Sequence, residues 1–454
     1  MRRTSMTILE ASQRIRRGEM SPLELVRACM DRIDAVDPRI RAWVVVDREA
    51  ALSAAREAEA EARAGRWRGP LHGIPLGIKD IVDVRGLPTR AGSRLLTDAP
   101  PADRDATVVS RLRQAGAVIL GKTVTTEFAC FDPAETRNPW NLAHTPGGSS
   151  SGSAAAVASG MCPGAVGSQT GGSISRPAAY CGVVGCKPTY GRVSADGFVP
   201  VSFSLDHPGP FARTAADAAL LLRAMSGYDP RDPVAAPEPV DDCVAACAPD
   251  EDRPPRLGLV EGLFLDRADE DVRRGLEAAR RAFESHGAGV AVARMPETFG
   301  EAHRMHRILM CVELAAVHRP RFQDRKADYR PGIRGLIEEG LALSAADYAE
   351  ARRHQLRFKV STQETLTGFD ALLTPAAPTP APRDLTTTGD PVFNSPWSYS
   401  GLPTLVLPVG LAQNGLPVAV QLIGRAFREA DLFRVAAWCE RAVGFGARPP
   451  EQPS

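Results

Sequence analysis

Between Gly147 and Gly191 the chain is built largely of Gly, Ser and Ala, in two runs, Gly147-Gly-Ser-Ser-Ser-Gly-Ser-Ala-Ala-Ala and Gly167-Ser-Gln-Thr-Gly-Gly-Ser. Side chains this small let backbone approach backbone, or a ligand, more closely than ordinary residues allow. Gly/Ser runs often serve as flexible linkers. These are short, flanked by Ala-rich chain suited to packing, and far from either end of the 454 residues. They therefore read as interior structure.

The flanking segments alternate between helix and strand signals. Ser21-Pro22-Leu23-Glu24 is a capping box with proline at the first helical position, followed by Leu25, Val26, Cys29, Met30 and Ile33 at helical spacing. A second helix, rich in Ala and Glu and expected at the surface, covers 48–64. From His72 to Asp80 the period changes to two, with Ile74, Leu76 and Ile78 on one face and Gly73, Pro75, Gly77 and Lys79 on the other. Asp105 starts another helix that ends at Gly116, and Val118-Ile119-Leu120 reads as a short buried strand. The stretch 228–256, loaded with Pro, Asp and Ala, reads as a long surface excursion, after which strand, helix and strand resume at 256–259, 269–286 and 290–292. Alternation of this kind predicts α/β layering.

Charge and cysteine content exclude several function classes. Lys plus Arg number 55 against 54 Asp plus Glu, leaving no net field to draw nucleic acid or an anionic membrane. The N-terminus meets Glu10 before any apolar stretch long enough for a signal peptide, so a cytoplasmic location is expected. Nine scattered cysteines suit a reducing compartment. Cys181 with Cys186 and Cys243 with Cys247 lack the paired short spacings of a zinc site. His303 and His306, three apart in an Arg-rich helical stretch without a third ligand, are expected on a solvated helix face. No metal is expected.

Three motifs compete for the chemistry. Gly116-Ala-Val-Ile-Leu-Gly-Lys-Thr123 satisfies the P-loop pattern, but here the helix comes before the motif and its middle residues are themselves the strand, the reverse of a phosphate loop. Gly148-Ser-Ser-Ser-Gly152 matches the nucleophile elbow of α/β-hydrolase esterases and would make Ser150 the nucleophile, yet irregular, turn-forming chain precedes it where an elbow needs a strand. His207 beside Asp206 offers that reading no triad geometry by adjacency alone. The third combines both Gly/Ser runs with an upstream lysine: Gly77-Ile-Lys79-Asp80, then Thr145-Pro-Gly-Gly-Ser149, then Gln169-Thr-Gly-Gly-Ser173-Ile-Ser-Arg176-Pro177, with Ser149 and Ser173 24 positions apart.

This third set resembles the amidase signature family, most strongly from the N-terminal helix through Arg213 and again at Asp370-Ala-Leu-Leu-Thr-Pro and Gly401-Leu-Pro-Thr-Leu. The resemblance implies hydrolysis of an amide, or of a related carbamate (urethane), through a Ser-Ser-Lys triad and an acyl-enzyme, without metal or organic cofactor. Ser173 is the implied nucleophile, Ser149 the relay after a cis peptide bond, and Lys79 the base, which must be neutral to accept a proton. The backbone N–H groups of Thr170, Gly171, Gly172 and Ser173 are expected to form the oxyanion hole. The implied fold is one α/β/α domain over 1–454, a mixed, twisted sheet with helices on both faces and the N-terminal helices of 1–65 at its edge.

Two departures bear on substrate. Many family members carry Asp at the position of Gln169 and Arg at that of Ser175, whereas here the arginine is Arg176. The pattern resembles the malonamidase-like branch, whose equivalent arginine binds a substrate carboxylate. Gln169 and Arg176 are therefore candidate substrate contacts, with loop bracing as the other role open to Arg176. The expected partner is a small-molecule amide or carbamate, and the chain itself a monomer or homo-oligomer. The alternative within the family is the glutamine-hydrolysing component of a glutamine-dependent amidotransferase, its glutaminase-type A chain, which implies a heteromeric complex. Phe393, Trp397 and Tyr399 are candidate pocket walls, with core packing the competing account.

Overall fold

The computed structural model describes residues 6–250 and 253–451. The capping box at Ser21 forms as expected: Glu24 N–H donates to Ser21 Oγ at 3.1 Å and Ser21 N–H to the Glu24 carboxylate at 2.9 Å. The helix it opens, Pro22–Ile40, buries Leu25, Val26, Cys29, Met30 and Ile33. A second box, Thr7 with Glu10, starts the shorter helix Ile8–Arg16, which periodicity alone does not separate. The helix Arg48–Arg63 buries only Ala51, Ala55 and Ala58 and turns its charged side outward.

Eleven strands form one sheet: β1 (Trp43–Val46), β2 (Pro75–Lys79), β3 (Val118–Thr123), β4 (Gly164–Gln169), β5 (Val184–Lys187), β6 (His207–Ala212), β7 (Arg256–Val260), β8 (Gly289–Ala293), β9 (Ala371–Pro375), β10 (Thr404–Leu411) and β11 (Pro417–Ile423). Their spatial order is β1-β3-β2-β4-β6-β5-β10-β11-β9-β7-β8. The sheet is mixed: β2 runs parallel to β3 and β4, and β7 to β8 and β9, while the remaining pairs are antiparallel. Helices cover both faces. On β5, a Cβ at Gly185 would meet Ala178 of the helix Ser175–Cys181 at 2.7 Å, while the next residue, Cys186, lies on the side of Glu429 and Cys243.

One pairing places the site. Because β2 and β4 are parallel, with Leu76 opposite Gly164 and Ile78 opposite Val166, their carboxyl ends leave the sheet at the same edge. Ligands of open α/β sheets collect at such ends. Here that edge holds Lys79, the last residue of β2, beside Ser168 and Gln169, the last of β4.

The competing motifs resolve structurally. The P-loop pattern begins just past the helix Thr107–Gln114 and takes in all of β3, and its lysine, Lys122, is buried against Asp80 at 2.9 Å. The chain before Ser150 is irregular rather than strand, and the helix Ser151–Ala158 follows it. Within the stretch 228–250 the short helix Cys243–Ala246 packs on the helix Ala215–Met225 and on the helix Glu429–Val443, and Arg192 donates to the carbonyls of Glu238 and Pro239. Among the described residues no helix is long and apolar enough to cross a membrane.

The small residues of the central stretch do what their size permits. A Cβ at Gly152 would stand 2.3 Å from both the Ala42 carbonyl oxygen and the Val124 nitrogen, both backbone atoms that no rotamer change can move. Gly152→Ala is expected to destabilise the fold by at least about 1–3 kcal/mol, the usual cost of overpacking. The midpoint of urea denaturation measures it.

Candidate active site

Lys79 is fully buried at the end of β2. Its Nζ donates to Ser149 Oγ at 2.7 Å and to Ser168 Oγ at 2.9 Å. Burial holds its amine down at about 7 against the opposing pull of Asp206 and Cys130. Ser149 is buried too, after a cis peptide bond from Gly148. The N–H of the next residue, Ser150, donates to the Ser173 carbonyl at 3.4 Å, which brings the two Gly/Ser loops into contact. The structure thus assembles Lys79, Ser149 and Ser173 from three separate segments. Ser168, whose role no local pattern reveals, joins them.

Ser150, the elbow candidate, is fully buried and spent on structure. Its Oγ donates to the Ser168 carbonyl at 3.2 Å and accepts the Ser168 N–H at 3.3 Å. His207, its only nominal base, is buried with Nδ1 facing the carbonyls of Leu205 and Gln169, and burial drives its imidazole well below the usual range.

Ser173 lies on the wall of a cavity of about 150 Å³, together with Thr170, Gly171 and Gly172 of its own loop, Arg176, and Cys130 and Phe131. The second half of the chain closes it through His306, Arg307 and Met310 of the helix Ala302–Arg325 and through Pro391 and Ser395. Among the described residues no protein acceptor takes the N–H groups of Thr170, Gly171, Gly172 or Ser173. The Thr170 hydroxyl donates to Asp206, whose other oxygen accepts from the N–H groups of Val201 and Ser202. Burial raises Asp206 to about 6, and these donors pull the other way.

Several expectations change here. His306 is not on a solvated face: it is 5% exposed, and its Nε2 lies 3.0 Å from the Thr170 carbonyl oxygen. The neighbouring Arg304 and Arg307 are exposed and paired with Glu301 and Glu339, so their polarity does not describe the position of His306. Gln169 does not face the cavity. It is fully buried and absent from the cavity wall, its Oε1 accepts the N–H groups of Ile174 and Ser175 at 2.8 Å, and its Nε2 donates to Ser398 Oγ at 3.0 Å. Phe393, Trp397 and Tyr399 are core rather than wall: all are fully buried, and Trp397 stacks on Phe264 at 5.8 Å.

Arg176 divides its guanidinium between structure and an unfilled role. Nη2 donates to the Gly148 carbonyl at 2.8 Å and to Thr388 Oγ1 at 3.0 Å, bracing the loop that carries Ser149. Nε and Nη1 are buried without a partner among the described residues, and burial lowers the group to about 10.

The family model described as Amidase matches residues 24–433. The chain belongs to the amidase family. As an amidase it is an enzyme of amide carbon–nitrogen bonds, built on the fold of that family. It is 40% identical to the A chain of the glutamyl-tRNA(Gln) amidotransferase of Roseiflexus castenholzii, over 98% of this chain and 97% of that protein. Among solved structures it is similar to the native peptide amidase from Stenotrophomonas maltophilia (TM-score 0.88, 34% identity, 98% of each chain). It is also similar to a protein from a vestigial complex bearing on the origins of an s-triazine catabolic enzyme (TM-score 0.91, 30% identity, 98% and 100%).

The burial of Lys79 has a direct readout. Its Nζ is expected to titrate near 7 in nitrogen-resolved NMR, in a signal that Lys79→Met removes. Because its folded value lies below the unfolded one, the unfolded chain holds the extra proton between about 7 and the ordinary lysine range. The contribution of this site to stability therefore rises with pH across that window.

Proposed function

We propose that this amidase hydrolyses its substrate through an acyl-enzyme on Ser173, with Ser149 and Lys79 moving the proton. The observation that carries this reading is the 2.7 Å contact between Lys79 and Ser149 beneath the Ser173 loop, with the amine held near neutrality. In its ammonium form Lys79 donates to Ser149. Once neutral, its lone pair accepts the Ser149 proton across the same contact, and Ser149 in turn takes the proton of Ser173 as its Oγ bonds to the amide carbonyl carbon. The free N–H groups of 170–173 then receive the oxyanion. Collapse breaks the carbon–nitrogen bond, the amine leaves with the relayed proton, and water releases the acyl group by the same path.

Nε and Nη1 of Arg176, without a partner among the described residues, support a substrate that carries a carboxylate, since each keeps an N–H that can make a charge-assisted bond to a carboxylate oxygen. Glutamine meets that description. The likeness to the A chains of amidotransferases favours it as the amide, with ammonia passed to a partner protein. Hydrolysis of an amide by the chain alone forms the second reading, supported by the likeness to a peptide amidase, with small acidic amides the candidates that Arg176 favours. Carbamates share the reacting centre and belong in the same screen.

Fluorophosphonate labelling with peptide mapping tests the nucleophile. Label is expected on Ser173, lost in Ser173→Ala, retained in Ser150→Ala, and slowed by about a hundredfold or more in Lys79→Ala, the range general-base catalysis supplies. Label on Ser150 would overturn the assignment. For the native enzyme kcat/KM is expected to rise with pH through about 7 as Lys79 loses its proton.

The substrate is read from turnover of glutamine, small acidic amides, neutral amides and carbamates. Arg176→Ala is expected to raise KM at least about tenfold for carboxylate-bearing amides and little for neutral ones. Equal losses on both classes would remove the carboxylate role. Ammonia released from glutamine only in the presence of partner proteins would select the amidotransferase reading.

A further inference from the structure

The four N–H groups assigned to the oxyanion belong to four consecutive peptide units, and the structure holds the carbonyl of each one. Gln169 O faces His207 Nδ1 at 3.2 Å, Thr170 O faces His306 Nε2 at 3.0 Å, Gly171 O accepts from Ser398 Oγ at 2.7 Å, and Gly172 O accepts from the Arg176 N–H at 2.9 Å. In a trans peptide the C=O and N–H bonds point in opposite directions. Anchoring a carbonyl therefore fixes where the N–H of the same unit points. The Thr170 carbonyl sets the N–H of Gly171, and the Gly171 carbonyl sets that of Gly172.

The two middle units most need outside help. Gly171 and Gly172 have no side chain to hold a peptide plane against neighbours, and glycine samples more backbone conformations than any other residue. A Cβ at Gly171 would find its nearest neighbours only at 3.6 Å, so packing alone does not lock that position. The anchors come from far along the chain: His306, 136 residues away on the helix Ala302–Arg325, and Ser398, 227 residues away on the helix Ser395–Ser400.

We propose that His306 and Ser398 are positioning residues for the oxyanion hole, holding the Thr170–Gly171 and Gly171–Gly172 peptides with their N–H groups turned into the cavity. The proposal rests on Ser173 as nucleophile. Both anchors have defined donor states. A carbonyl only accepts, so His306 must carry its proton on Nε2, and burial keeps the ring neutral down to about 4. The Ser398 hydroxyl accepts from Gln169 Nε2, which leaves its one proton for Gly171 O. Gln169 thereby gains a reason to be an amide. An ionised aspartate there has no N–H to donate to Ser398. A donor on a peptide carbonyl also polarises the unit and strengthens its N–H as a donor.

The test is the inactivation of the full chain by a fluorophosphonate, whose phosphoryl oxygen enters the oxyanion hole as Ser173 is modified. His306→Leu is expected to lower the maximal inactivation rate about tenfold with KI unchanged, and His306→Gln, which returns an N–H donor, to recover it to within about threefold; outright loss of an oxyanion donor costs a hundredfold or more. Ser398→Ala and Ser398→Thr should behave as the same pair. A merely structural role predicts a lower melting temperature with the rate of the folded protein unchanged, and that result in both pairs overturns the proposal. So does a Gln or Thr variant as slow as its apolar counterpart. If His306→Leu does not fold, the Ser398 pair decides alone. Label away from Ser173 in the native protein would instead overturn the nucleophile assignment, whatever the variants do.

Discussion

A lysine amine shared between two serine hydroxyls, with no carboxylate touching it among the described residues, organises the centre of this protein. Burying an ammonium is costly, and the interior answers in one of two ways: it supplies a counter-charge, or it shifts the group toward neutrality. Both answers occur on adjacent strands. Lys122 of β3 is paired with Asp80 at 2.9 Å and stays an ion-pair partner. Lys79 of β2, among the described residues, hydrogen-bonds only Ser149 and Ser168, and is left near neutrality, the state that permits it to take a proton. A carboxylate at either serine position would favour the ammonium form and leave a structural salt bridge.

That arrangement requires three backbones to converge on one amine, which explains the composition of the middle of the chain. β2 and β4 bring Lys79 and Ser168 to one edge, and the loop bearing Ser149 must pass close over both. Gly152 lies against the backbone of Ala42 and Val124, and a Cβ at Gly167 would meet Phe211 and Ser150. The serines that are not candidates for chemistry hold this packing together. Ser150 ties to Ser168, Ser151 Oγ donates to the Gly147 carbonyl at 2.7 Å, and Ser153 Oγ donates to the Val166 carbonyl at 2.9 Å.

The departures at Gln169 and Arg176 are both parts of this framework. Gln169 connects the start of the helix Ser175–Cys181 to Ser398, and Arg176 connects the same helix to the loop of Ser149 through Gly148. Gln169 has both polar atoms engaged by the protein, while Arg176 keeps two nitrogens without a partner among the described residues. The distinction separates a residue that shapes the loop from one that retains binding capacity toward a ligand, and it assigns the variation in this loop two different physical meanings.

Local signals in the sequence are enough for much of this. The capping box at Ser21, the strand ending at Lys79, the helix closed by Gly116 and the two small-residue loops all depend on neighbours within a few positions, so they are legible, and with them the candidates Lys79, Ser149 and Ser173 that they carry. Strand order is not legible, because a period of two says that a strand has a buried face without saying which strand lies beside it. The consequences fall on residues whose meaning is set across long separations. His306 looks solvated from its Arg-rich neighbours and is instead buried against Thr170, Gln169 looks like a substrate contact and is closed off by Ser398, and Trp397 packs on Phe264 away from the cavity. Sequence alone determined which groups could do the chemistry, since that follows from residue type and local spacing. Only the tertiary structure decided which groups hold them in place, because a hydrogen bond from a side chain more than a hundred residues away leaves no periodic trace in either segment it joins.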